Sequence, residues 1–238
     1  MSLSVDHKLI DNYAHYYDRD DGVLEWRRLG ALDKSANIIR LCSRHEHNHT
    51  LDIGCGEGAV LERLATLGFG SQFTGLEISE SGVRMVKEKN IRGVEARLFD
   101  GYELPFQEKS FDLAILSHVL EHVEYPRRLI REAARAARNV FVEVPLENTG
   151  RLSSDFAFDR VGHIYFYDCK TIRRLVQSCG MRITGACLSH SSRSAYIYRK
   201  GRFRGSASHL AKELGLRLWS GFATSIFVYN YSLTYATA

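Results

Sequence analysis

Thr50-Leu51-Asp52-Ile53-Gly54-Cys55-Gly56-Glu57-Gly58 is a short apolar run that ends in three alternating glycines, with an acid two places before the first of them. An apolar run closed by glycine reads as a strand entering a tight turn. Glycine there lets backbone approach a ligand with no Cβ in the way, and a helix expected over residues 59–67 aims its free N–H groups at the same point. An ordinary βα turn has the same look, so residues 72–145 decide between the two.

Over that span strands and helices alternate regularly. A second strand, Gln72 to Leu76, ends in Glu77, and a helix opens behind Ser79, an N-cap serine, and ends near Asn90. A third strand, Val94 to Phe99, ends at Asp100-Gly101 ahead of Leu104-Pro105-Phe106. A fourth, Phe111 to Ser117, runs into His118-Val119-Leu120-Glu121-His122. A helix opens at Pro126, a favoured first-turn position, and the β-branched run Asn139 to Val144, closed by Pro145, is a fifth buried strand. Strands alternating with helices give an α/β fold with a doubly wound, mostly parallel sheet.

The flanks differ from this core. Residues 7–17 and 25–44 carry apolar side chains at helical spacing, so residues 1–46 form an N-terminal helical cap of the same domain as residues 47–238. Past residue 146 come a polar loop to Gly162, a helix from Thr171 to Ser178 stopped by Gly180, a strand near 182–189, a helix over 206–218 and a last strand near 222–232. Residues 146–238 are expected to supply the acceptor side and the last strands.

The ordered strand ends, Gly54 and Gly56, then Glu77, then Asp100, then Ser117 and His118, resemble the class I S-adenosylmethionine-dependent methyltransferases. The likeness is to the small-molecule, type 11 and ubiquinone-biosynthesis-like group carrying Leu120-Glu121-His122, and it covers roughly residues 45–185. It implies a seven-stranded Rossmann-like sheet, S-adenosylmethionine as cofactor and S-adenosylhomocysteine as product. It also implies the cofactor contacts: Asp52, Gly54, Cys55 and Gly56 at the first turn, Glu77 gripping the ribose hydroxyls beside Ile78, Asp100 on the adenine amino group with Gly101 beside it, and Ser117 lining the methyl channel. His118 is the catalytic candidate, a general base by position and pKa range. From the cap, Tyr17 and Arg27 would close over the cofactor.

Three rivals stand beside this reading. Gly54-x-Gly56-x-x-Ala59 with Glu77 also satisfies the permissive dinucleotide fingerprint of an NAD oxidoreductase. The helical stretch of about fifty residues ahead of the first strand, Asp52 before the glycines, and the order of Asp100 with Ser110-Phe111-Asp112 favour methyl transfer. A nucleic-acid methyltransferase would fit the basic C-terminal half, but the Asn/Asp-Pro-Pro-Tyr/Phe tetrad is absent after the fourth strand. A non-catalytic S-adenosylmethionine-binding module would be expected to have lost some of these residues. A metal is a separate question: some superfamily members bind one through Glu-x-x-Glu-His and a later His, and His118, Glu121, His122 with His163 have that layout. The first acid is missing, so no metal is expected, with Glu121 and His122 bracing the fold.

Composition sets the partners. The 238 residues are 45% hydrophobic and 25% charged, enough for one large domain with a real core. Five cysteines without a CxxC pair, and no apolar leader before Asp21, point to a reduced cytoplasmic protein. The stretch from Leu218 to Ala238 is too interrupted by polar residues for a membrane span. Residues 1–149 hold 19 Lys/Arg against 24 Asp/Glu, and residues 150–238 hold 13 against 4, so the halves carry −5 and +9. Arg193, Arg199, Lys200, Arg202 and Arg204 then read as a solvated basic loop or as a seat for an anionic partner. The expected acceptor is a small molecule, anionic, phosphorylated or sugar-nucleotide-linked, methylated on O or N. Nucleic acid is not expected, and the chain is a monomer or homodimer.

Overall fold

A computed structural model describes residues 21–155 and 162–237; the helix expected over residues 7–17, and Tyr17 with it, lies outside the described residues. Helix α1 (Asp21–Cys42) leads into β1 (His49–Ile53), α2 (Ala59–Thr66), β2 (Gln72–Glu77), α3 (Glu80–Glu88), β3 (Val94–Leu98), β4 (Phe111–Ser117), α4 (Pro126–Ala136) and β5 (Ala137–Pro145). The C-terminal part adds α5 (Cys169–Gln177), β6 (Met181–Ser189), α6 (Arg193–Lys200), α7 (Arg202–Ile226) and β7 (Asn230–Thr237).

One seven-stranded sheet results, in the order β3-β2-β1-β4-β5-β7-β6. The pairings among β1 to β5 are parallel, and β7 runs antiparallel between β5 and β6. Strand β4 shows why its run of apolar residues is a strand buried on both faces. Ala114 and Leu116 enter a core with Leu129, Ile130 and Val142 under α4, whereas Leu113 and Ile115 enter a second core with Ile38, Leu61 and Phe141 under α1 and α2. Each fully buried Leu or Ile contributes roughly 1.5–3 kcal/mol of transfer free energy, so neither face tolerates a polar residue without a partner.

Local chemistry fixes the ends. Ser79 caps α3 by accepting from Gly82 N, Pro126 opens α4, and Asp168 closes a capping box with Thr171 on α5. Parallel strands with crossover helices put the carboxyl ends of β1 to β5 on one edge of the sheet.

Two elements depart from expectation: Arg193–Lys200, read as a loop, is helix α6, with Ser192 accepting from Ala195 N at its start, and the last strand begins late. Residues 222–226 are helical and the last strand starts at Asn230, not near Phe222. Leu210, Leu214, Leu218 and Phe222 recur at a spacing of four, so the helical period outlasts the aromatic and small-residue composition that suggested a strand. The strand begins where Tyr231, Leu233 and Tyr235 alternate into the core.

Candidate active site

The glycine turn sits at the carboxyl end of β1. Gly54 and Gly56 adopt φ of 75° and 58°, and Gly54 N and Cys55 N both donate to Leu76 O, binding the turn to β2. A Cβ at Gly54 would lie 2.7 Å from Val119 Cγ2, so this turn also packs against the segment after β4. Helix α2 starts at Gly58 with no side-chain cap, leaving its first N–H groups for other partners.

Glu77 ends β2 and is almost fully buried. Its Oε2 accepts from Gly56 N at 2.9 Å, and its Oε1 from Ile78 N at 2.9 Å and Ser79 N at 3.0 Å. The carboxylate is thus aimed by backbone on both sides of the turn. Three of its roughly four acceptor positions are already used, so gripping two ribose hydroxyls requires it to give up a backbone donor. Burial lifts its pKa in spite of the three N–H groups. Asp52, buried in β1, is pushed up to about 7 by burial and by the charges of Glu77 and Glu57, with the Lys34 ammonium pulling the other way. Cys55, beside them in the turn, has its thiol raised by burial and by the charges of Asp52, Glu77 and Glu57. The end of β3 adds Asp100, exposed, whose Oδ1 accepts from Tyr102 N and Glu103 N, and Gly101 at φ 92°.

On the other side of the turn, β4 ends in Ser117 and His118. His118 adopts φ 58°, uncommon for a residue with a Cβ, and its N–H donates to Glu143 O. This places the imidazole between two fully buried carboxylates, with Nδ1 3.3 Å from Glu121 Oε1 and Nε2 3.4 Å from Glu143 Oε1. Burial and the Lys34 charge disfavour the imidazolium, but the two carboxylates outweigh them and the pKa rises. Glu121 and Glu143 are likewise held below the usual range: burial raises each, and His118 more than reverses it. Glu143 is further tied by Asn37 Nδ2 at 2.6 Å and Ser232 Oγ at 2.7 Å, while Ser117 Oγ donates to its Oε1 at 3.5 Å. The imidazole is thus sandwiched between two carboxylates, each of which favours its charged form and is in turn held ionised by it.

A third group adjoins it. Glu121, His122 and His163 each bring one ligand-type atom within 4.8 Å of the others. Glu121 O accepts from Ile164 N and Tyr165 N, and His163 Nδ1 lies 2.7 Å from Glu147 Oε2, so the loop carrying His163 is bonded to both sides.

Three members were missed in the sequence. Glu143 is the acid inside the otherwise apolar Phe141-Val142-Glu143-Val144, a signal legible beforehand. Lys34 and Asn37 carry no local signal; they reach the strand ends only because α1 folds back over them. Arg27 is half-buried on α1, two turns before Lys34 and on the same face.

Known proteins resemble this chain in sequence and fold. Residues 51–139 match the family described as methyltransferase domain. Over 134 residues the chain is 31% identical to the 27-O-demethylrifamycin SV methyltransferase of Amycolatopsis mediterranei, covering 54% of this chain and 48% of that one. It is 26% identical over 165 residues to a demethylmenaquinone methyltransferase of Geobacillus stearothermophilus, covering 67% of this chain and 69% of that one. The chain carries a methyltransferase domain of the class I S-adenosylmethionine-dependent kind. The methyltransferase fold extends beyond the matched residues. Geranyl diphosphate C-methyltransferase from Streptomyces coelicolor A3(2) superposes with a TM-score of 0.67 at 13% identity, covering 98% of this chain and 100% of that one. The cyclase SpnF superposes at 0.63 and 18% identity, covering 86% and 80%, so methyltransferase architecture is also found in a protein named for other chemistry.

The residues at the glycine turn fit S-adenosylmethionine by their chemistry. The sulfonium and ammonium of that cofactor are cationic, and Asp52, Glu57 and Glu77 are buried acids that raise one another's pKa or that of a neighbour. Its carboxylate needs a cation, and Lys34 is the one whose field reaches Asp52, His118 and Glu143.

Proposed function

We propose that this chain transfers the methyl group of S-adenosylmethionine to an oxygen or nitrogen of a small anionic or phosphorylated acceptor. The observation that carries the reading is the arrangement on one sheet edge of the glycine turn, the backbone-aimed Glu77 and Asp100, with His118 across from them. When bound, the cofactor supplies an electrophilic methyl group. Asp52 and Glu77 would hold its cationic and ribose parts, Asp100 through Oδ2 its adenine amino group, and Lys34, in preference to Arg27, its carboxylate. Alignment supplies most of the rate in such an in-line displacement. His118 lines the acceptor side, and takes a proton from an acceptor only in the fraction that is deprotonated. Turnover that needs this base therefore rises with pH through a pKa above the ordinary imidazole value. The five free cysteines support a cytoplasmic location.

We read Glu121, His122 and His163 as a brace joining the loop after β5 to the end of β4. Elemental analysis of the purified protein should find no stoichiometric metal; a bound equivalent lost in His163→Ala would reverse that reading.

Calorimetry with S-adenosylmethionine, S-adenosylhomocysteine and NAD tests the cofactor, followed by mass spectrometry of small anionic metabolites incubated with the enzyme and S-adenosylmethionine. Tight NAD binding without S-adenosylhomocysteine binding would overturn the assignment. Cofactor binding with no methylated product from any acceptor class would favour a binding module.

A further inference from the structure

Helix α7 spans 25 residues, of which Gly205 and Ala223 are buried. A helix on a globular surface ordinarily hides one apolar stripe. Here Phe203, Leu210, Leu214 and Leu218 share one face and stand 88%, 57%, 45% and 60% exposed. The helix is broken at Trp219, where φ is −149° and ψ 64°, and Trp219 and Phe222 continue outward at 69% and 68%. Scattered exposed leucines need no explanation, but six large apolar side chains along one element do.

The charge around them says what would cover this face. Residues 193–226 carry Arg193, Arg199, Lys200, Arg202, Arg204, Lys212 and Arg217 against one acid, Glu213. Lys212 is turned inward, donating to Val228 O beneath the rings of Tyr196 and Tyr229. Arg202 and Arg204 flank Phe203 and are exposed, as is Arg217 between Leu214 and Leu218. A second copy of the chain docked through the same face would set like charge against like charge. Nucleic acid would use the cations and have no use for the leucine row.

We propose that α7 docks on an anionic lipid bilayer, its leucine row and Trp219 entering the acyl boundary and its arginines meeting the headgroup phosphates. The helix is inserted between β6 and β7, whose ends Ser189 and Asn230 are register partners, and Asn230 also pairs with Pro145 at the carboxyl end of β5. The docking face therefore leaves the sheet on the edge that carries His118 and Glu143. The proposal holds or fails independently of methyl transfer.

Sedimentation of the full chain with phosphatidylglycerol vesicles, and separately with phosphatidylcholine vesicles, tests it. Binding to the anionic vesicles should weaken as salt is raised and fall at least ten-fold in Leu214→Glu/Leu218→Glu, a surface change that leaves far-UV circular dichroism unaltered. In Trp26→Phe, which leaves Trp219 as the one tryptophan, emission should move to shorter wavelength on adding the anionic vesicles. Absence of binding at low salt, or equal binding by the double variant, would overturn the proposal. So would a solution dimer that the double variant splits, or salt-steep RNA binding in place of vesicle binding.

Discussion

Two groups of buried acids lie on the same sheet edge, on either side of the glycine turn, and they sit in opposite electrostatic conditions. Asp52 and Glu77 have pKa values raised by burial, opposed at Asp52 by the Lys34 ammonium and at Glu77 by three backbone N–H groups, whereas Glu121 and Glu143 have theirs lowered because the His118 imidazole sits between them. A buried carboxylate without a close cation costs stability, and one beside a cation loses stability when the cation goes. The first group is built to gain on meeting a cationic ligand, and the second already contains its counter-charge.

The largest effect comes from removing that counter-charge. His118→Ala leaves two fully buried carboxylates without the group that lay between them, a loss of about 3–5 kcal/mol for a broken buried pair. In a chain of this size that lowers Tm by roughly 10 °C, readable by calorimetry. Adding Glu143→Gln to His118→Ala should recover part of the loss, because one of the stranded charges is removed with its partner. A His118→Ala protein as stable as the wild type would show that the sandwich does not hold the fold and would restore a purely catalytic histidine.

The next prediction acts on the other group. Glu77→Ala removes the acceptor of three backbone N–H groups along with any ribose contact, and should weaken S-adenosylhomocysteine binding about ten- to a hundred-fold by calorimetry. Glu77→Gln keeps one oxygen for Ile78 N and Ser79 N and should lose less. Equal losses in the two variants would mean that charge alone matters and the backbone aiming does not.

How much of this could be read beforehand depends on whether the signal was local. The first five strands, the glycine turn, Glu77, Asp100 and the Ser79 and Pro126 helix starts are written in short stretches of sequence, and the sheet order comes from alternation. The end of α7 was misjudged because aromatic and small residues favour a strand by composition while their spacing of four favours a helix. The sandwich was only half legible. His118 and Glu121 are three residues apart, but Glu143 joins them across a strand pair through the register of Ser117 with Glu143, and Lys34 and Asn37 arrive from a helix over a hundred residues away from it. Side chains brought together by topology leave no mark on the sequence around them, except where, as at Glu143, an acid interrupts a buried strand.

A moderate effect is expected at Asp52. Its folded pKa is raised above the value of about 3.9 for an unperturbed aspartate, so the folded protein holds the extra proton between that value and about 7, and stability drains away as pH rises through that window. Asp52→Asn removes the cost. It should melt at the same temperature as wild type near pH 4 and several degrees higher at pH 8, while losing part of the Tm gain that S-adenosylmethionine gives the wild type. A lower Tm at pH 8 would mean that the Asp52 carboxylate is already paired and that the contrast between the two groups is false.

The smallest effect tests the one residue that touches both groups by its field. The Lys34 ammonium lowers the pKa of Asp52, His118 and Glu143 together, and it is half-buried on α1 where solvent screens it. Lys34→Met keeps the length and apolar stem and removes the charge. The His118 imidazole, followed by its ring carbon-bound proton signals across pH, should then titrate at higher pH than in wild type, because the cation that opposed its proton is gone. Asp52 should shift in the same direction, so the Tm difference between pH 4 and pH 8 widens. Affinity for S-adenosylhomocysteine should fall only about two- to five-fold, the scale of a partly screened ion pair, if the ammonium meets the cofactor carboxylate. An unchanged His118 titration with reduced affinity would leave Lys34 as a cofactor ligand and separate the two acid groups electrically; an unchanged affinity with a shifted titration would pass the carboxylate to Arg27, on the same face of the helix two turns earlier.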